Sequence, residues 1–127
     1  MTDSILDSTK EKLGLAKDYT VFDSAIIDHI NSVFFTLNQL GVGPAEGYSI
    51  LDDSDKWQDF IGTEKKQQTI QSYMYLKVRL LFDPPTTSFA IDSMSKIASE
   101  MEWRMNIVAE GSFNVVPPTT TPTPLPY

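Results

Sequence analysis

The dipeptide Pro84-Pro85 constrains the architecture of this chain more than any other pair of residues. Neither proline has an amide hydrogen to give a helix interior, and each ring crowds the turn before it, so a helix arriving from Ile70 must stop near Phe82. On the far side Thr86, Thr87 and Ser88 offer hydroxyls that can accept from the free amides opening the next helix. Tyr73 to Asn106 therefore reads as two long amphipathic helices joined at a sharp corner, with the rest of the chain packed around them.

The second of these helices carries Ala90, Met94, Ile97, Ala98, Met101, Met105 and Val108 at steps of four, three, one, three, four and three, one continuous stripe expected to be core. Trp103 and Ile107 lie off that stripe on a neighbouring face, beside an intrahelical Glu100 and Arg104 pair, and read as a second contact surface. In the first helix Ile70, Tyr73, Met74, Val78 and Leu81 form the inner face. Leu76, Leu80 and Phe82 widen the apolar girth beyond one side, which predicts burial by more than this small domain alone.

A chain of 127 residues is one domain with a modest core. It contains no cysteine, so disulfides, thiolate metal sites and thiol nucleophiles are excluded, in keeping with a reducing cytoplasm. No apolar run approaches the roughly 18 residues that span a bilayer, and the acidic amino terminus lacks the features of a secretion signal, so no membrane association is expected. The formal charge of −7 opposes a grip on nucleic acid, which relies on clustered Lys and Arg.

From the amino terminus, Ser4-Ile-Leu-Asp7 has capping-box spacing and predicts a helix over about residues 3–13, ended by Gly14. Asp23 is placed to cap the next helix, in which Ile26, Ile27, Ile30, Val33, Phe34, Leu37 and Leu40 trace a wide stripe up to Gly41. The glycine-punctuated loop from Gly41 to Gly47 follows a helix and precedes a short extended piece, Tyr48-Ser49-Ile50. It also lacks the Lys-Ser/Thr of a phosphate loop, so it reads as a turn. Asp53, Asp55, Asp59 and Glu64 fit positions 1, 3, 7 and 12 of a calcium loop, but Trp57 and Gln58 occupy the positions that need an oxygen ligand and a glycine. The better reading is a short helix capped by Asp53 or Ser54, anchored by Trp57, Phe60 and Ile61 and closed by Gly62, with Thr63 and Glu64 opening the long helix. His29, the single histidine, has no nucleophile or second imidazole that the sequence places beside it, and reads as a structural or surface histidine. No catalytic, cofactor or metal site is expected.

Residues 112–127 form an uncharged segment with five of the eight prolines, a composition that forbids helix and favours extended geometry. Phe113, Val115, Val116, Leu125 and Tyr127 are too apolar for a purely solvating tail, so a partner is expected to order it. The chain is thus expected to be all-α, a small bundle of four to five helices over residues 1–111 with an extended proline-rich tail over 112–127.

Three stretches together resemble the head-tail connector (adaptor) proteins of long-tailed bacteriophages: His29 to Pro44, the Trp57-Gln-Asp-Phe60 patch, and Tyr75-Leu-Lys-Val-Arg-Leu-Leu-Phe-Asp-Pro-Pro85 with Glu102-Trp-Arg-Met105. The likeness covers about residues 3–107, and the Lys-Val-Arg-Leu-Leu-Phe-Asp-Pro-Pro junction is its most specific part. The resemblance implies a non-enzymatic virion protein of the neck, assembled in the host cytoplasm into a homo-oligomeric ring, usually of twelve. Such a ring sits beneath the portal protein, extends the DNA channel without sequence-specific binding, and docks the next tail-side connector or stopper protein. An acidic wall suits a conduit, because it repels phosphate. On this reading Lys65, Lys66, Asp55, Leu76, Leu80 and Phe82 are expected at the subunit interface, and Trp103, Arg104, Ile107, Phe113, Val115, Val116, Leu125 and Tyr127 at a partner. The competing expectation is a monomeric helical adaptor or regulator that binds one partner through its proline-rich tail.

Overall fold

A computed structural model describes residues 4–61 and 64–110, apart from the side chains of residues 64, 65 and 108–110. Gly62, Thr63, the side chains of Glu64, Lys65 and Val108, and the tail residues Phe113, Val115, Val116, Leu125 and Tyr127 lie outside the described residues. The described chain is all-α, a small bundle of five helices: α1 (Ile5–Lys12), α2 (Asp23–Gln39), α3 (Trp57–Phe60), α4 (Glu64–Phe82) and α5 (Ser88–Glu110).

Helix α4 packs against each of the other four and is the axis of the bundle. It ends at Phe82, ahead of the two prolines as expected, and the Thr87 hydroxyl accepts from the Ala90 amide at 3.1 Å to start α5. Ile70, Tyr73, Met74 and Val78 of α4 meet Ile26, Ile30, Val33, Phe34 and Leu37 of α2 in one buried core, to which α1 adds Ile5 and Leu6. Each such side chain contributes about 1.5–3 kcal/mol on burial.

The ends of α1 and α3 are tied together. Ser4 caps α1 by accepting from the Asp7 amide at 3.2 Å, and the Ile5 amide donates to the Asp55 carbonyl at 3.0 Å. Trp57 is buried with its Nε1 donating to Ser8 Oγ at 2.7 Å, so the one polar atom of the largest core side chain is satisfied. Phe34, Tyr48, Trp57 and Phe60 cluster around this point, with ring centroids of Phe34 and Phe60 4.7 Å apart. Gly43 closes the cluster from the loop side: its φ is +88°, and a Cβ there would overlap the Phe60 ring. The glycines of this loop thus serve the turn and the close approach of backbone to core.

Four local expectations are corrected. Asp23 does not cap α2, where Phe22 takes the cap position without a side-chain hydrogen bond. Asp23 instead pairs with Lys10 at 2.7 Å. The Lys10 side chain is fully buried and also donates to the Lys17 carbonyl at 2.9 Å, a demand for a carboxylate that local sequence does not reveal. Neither Asp53 nor Ser54 caps α3, which starts after Lys56, whose amide donates to Asp59 at 3.4 Å. Leu81 and Ile97 are half exposed although both sit on predicted inner stripes. α5 packs chiefly on α4 alone, so among the described residues it buries only the narrow line of Ala98 and Met105 with Met101 beside it.

Candidate assembly surfaces

The polar contacts between the two long helices fix how α5 lies on α4. Tyr73, wholly buried, donates its hydroxyl to Glu102 at 2.6 Å, and Lys77 pairs with the same carboxylate at 3.1 Å. Burial, together with the hydrogen bond and charge of Glu102, pushes the Tyr73 phenol far above its ordinary range, so it remains a donor. This three-residue clamp escaped the helical pattern because Tyr73 and Glu102 are 29 residues apart; the available signal was a tyrosine on an otherwise aliphatic inner face, which needs a partner for its hydroxyl. At the other end Asn106 donates to the Leu40 carbonyl at 3.3 Å, joining α5 to the end of α2.

The clamp sets the face that follows it. Trp103 and Ile107 are half-buried, and Arg104 is exposed with its guanidinium 3.7 Å from Glu100, the expected intrahelical pair. All three stand within about a turn and a half of Glu102, at the same end as Asn106. On α4 Leu76 and Leu80 are half-buried after the subunit's own packing is complete.

Phe82 is turned inward: it packs edge-on against Phe22 at 5.4 Å and His29 at 6.3 Å and touches the core, so most of its surface is used within the subunit. His29 is partly buried beside this ring. Asp55 also has internal work, its carboxylate accepting from the Leu51 amide at 2.8 Å and the Asp52 amide at 3.4 Å. Lys66 is exposed.

Sequence patterning missed the most exposed apolar side chains. Leu51 and Phe89 are 85% and 81% exposed, Val21 69% and Phe35 64%. Phe89, Leu81 and Ile97 all lie on the α4–α5 hairpin, and Tyr19, Val21 and Phe22 belong to the segment whose rings continue from Phe82. Leu81 and Ile97 continue helical stripes, whereas Val21, Phe35, Leu51 and Phe89 fall outside the stripes that predict the core. A further concavity of about 530 Å³ lies between α2 and the glycine loop, lined by Asn31, Phe34, Phe35, Asn38, Tyr48 and Ser49 among others.

Among the described residues, no three His, Asp or Glu side chains group as a metal site would require, and no helix is long and apolar enough to cross a membrane. Asp52 accepts from both the amide and the hydroxyl of Ser54, which lowers its carboxyl below the ordinary range.

A family model described as phage connector protein matches residues 5–112, and the chain belongs to that family. Its role is that of a structural head-tail connector, and family membership implies assembly with portal and tail proteins in the virion neck. No curated protein and no solved structure matches the chain.

Proposed function

We propose that this connector acts as a ring, of twelve subunits in the number usual for such adaptors, beneath the portal, where it prolongs the DNA channel and docks the next tail-side connector or stopper. The observation that carries the reading is the family match across residues 5–112. It is supported by Leu81, Phe89 and Ile97, apolar surface that the isolated subunit leaves in water on its longest hairpin.

In this ring Leu76 and Leu80, with Lys66 and Asp55 and, outside the described residues, the Lys65 side chain, face the adjacent subunit. Phe82 contributes its remaining edge. A ring contact is head to tail, so this patch meets a different patch on the next copy. Trp103, Arg104 and Ile107 face the portal, and Phe113, Val115, Val116, Leu125 and Tyr127 of the tail add to the same joint. Tryptophan and arginine dominate binding hot spots, and repetition around a ring multiplies a weak contact. The charge of −7 lets duplex pass without adhering.

The test is the mass of the native assembly, alone and with a portal. Wild type is expected as a ring in at least one condition, and Leu80→Glu as a helical monomer in both. A wild-type chain that stays monomeric in both conditions would favour a monomeric adaptor, and intact rings from Leu80→Glu would refute the placement of the interface.

A further inference from the structure

The concavity between α2 and the glycine loop has an occupant within reach. Its wall carries Phe35, 64% exposed although no core needs it, and Tyr48, whose ring packs against Phe34 at 5.1 Å and Phe60 at 5.3 Å and is thereby held fixed. Asn31 and Asn38 border the groove and pin it open: Asn31 brackets Ile50 by donating to its carbonyl at 3.1 Å and accepting from its amide at 2.7 Å, while Asn38 donates to the carbonyls of Pro44 and Ala45 at 3.3 Å. Rigid aromatic faces set beside polar groups are the chemistry that receives an extended proline-rich strand.

The same chain supplies such a strand. Residues 112–127 hold five prolines and no charge. The described part of the chain ends at Glu110, four residues beyond Asn106, and Asn106 touches Leu40, two residues beyond groove residue Asn38. The last four residues of α5 add only about 6 Å, and Asn31 to Asn38 along α2 is about 10 Å. A polyproline strand advances ~3.1 Å per residue, so its first six or seven residues already cover that span. The groove is open and offers about 530 Å³, room for a few residues of such a strand.

We propose that the groove formed by Asn31, Phe35, Asn38 and Tyr48 is the docking site for the chain's own proline-rich segment, Pro117 to Pro126. Prolines stack on Phe35 and Tyr48, and strand carbonyls accept from the Tyr48 hydroxyl. The contact requires neither a ring nor a portal. It shelters Leu125 and neighbouring apolar groups until a partner is present.

Because the chain has no cysteine, an introduced pair reports this contact without interference. In the full chain, Ser49→Cys with Thr121→Cys is expected to form a disulfide on mild oxidation at least several-fold faster than a control pairing Thr121→Cys with Ser95→Cys on the exposed side of α5. Adding Phe35→Asp, at a position that the core does not use, should bring the rate down to that of the control with the circular dichroism spectrum unchanged. A crosslink within one chain places the segment in its own groove, and one between two copies places it in a neighbour's groove. Equal rates for the Ser49 and Ser95 pairs, or a rate unaffected by Phe35→Asp in a folded chain, would overturn the proposal.

Discussion

Replacing Asp23 with alanine tests the buried ion pair that local sequence did not disclose. Lys10 Nζ lies 2.7 Å from Asp23 Oδ1 and 2.9 Å from the Lys17 carbonyl, with the lysine side chain 1% exposed and the aspartate side chain 25% exposed. At an effective dielectric of 20 the direct attraction over that distance is about 6 kcal/mol, an upper figure that the hydration of Asp23 reduces. Breaking a buried pair from one side generally costs about 3–5 kcal/mol, and the partial exposure of Asp23 places this one near about 3. That is a large share of the roughly 5–15 kcal/mol that holds a small domain folded. Lys10→Met should cost less, about 1 kcal/mol, because the carboxylate left behind can turn to water while methionine fills the lysine's path. The double variant should recover most of the loss seen with Asp23→Ala. Urea unfolding of the full chain under conditions that keep it monomeric, followed by circular dichroism, measures all three at a common slope. A loss below about 1 kcal/mol for Asp23→Ala, or a double variant no more stable than that single one, would refute the view that Lys10 depends on this partner.

Three further outcomes are expected. Tyr73→Phe should cost roughly 1.5 kcal/mol at neutral pH, since Glu102 keeps Lys77. Because folding raises the phenol's pKa, the unfolded chain ionises first: wild-type stability is complete below the ordinary tyrosine value near 10 and falls above it, and the variant should lose about one proton's worth less per pH unit in alkaline urea titrations. Gly43→Ala should destabilise by about 1–3 kcal/mol in thermal melts, from the positive φ and the overlap with Phe60 together; an unshifted melt would mean the ring moves freely aside. Deleting residues 113–127 should leave the helical content intact and weaken attachment to the portal, giving capsids that package DNA and then leak; particles from the truncated chain that hold their DNA would remove the tail from that joint.

The helices were legible in the sequence because their causes are local. Pro84 and Pro85 stop α4, Thr87 starts α5, Ser4 opens α1 and Gly41 closes α2, each through a backbone requirement that neighbouring residues meet or fail. The inner faces of α2 and α4 were equally legible, since a helix packed between several neighbours must keep an apolar stripe. What periodicity could not supply is how many neighbours each helix has. Ile97 and Leu81 continue good stripes, yet α5 packs chiefly on α4, and both side chains are left about half exposed.

Long-range polar pairing was decided by the tertiary structure alone. Nothing local marks Lys10 for burial or Glu102 as the acceptor for Tyr73, because the energy of a buried charge depends on what the fold brings to it. The same holds for the candidate surfaces. The sequence by itself determined that this chain has more apolar girth than one small core absorbs. Only the packed structure decided where the surplus lies, turning Phe82 inward onto Phe22 and His29 while leaving Phe89, Leu81 and Phe35 in solvent, because close packing of α2 against α4 fills one side and has no room for the other.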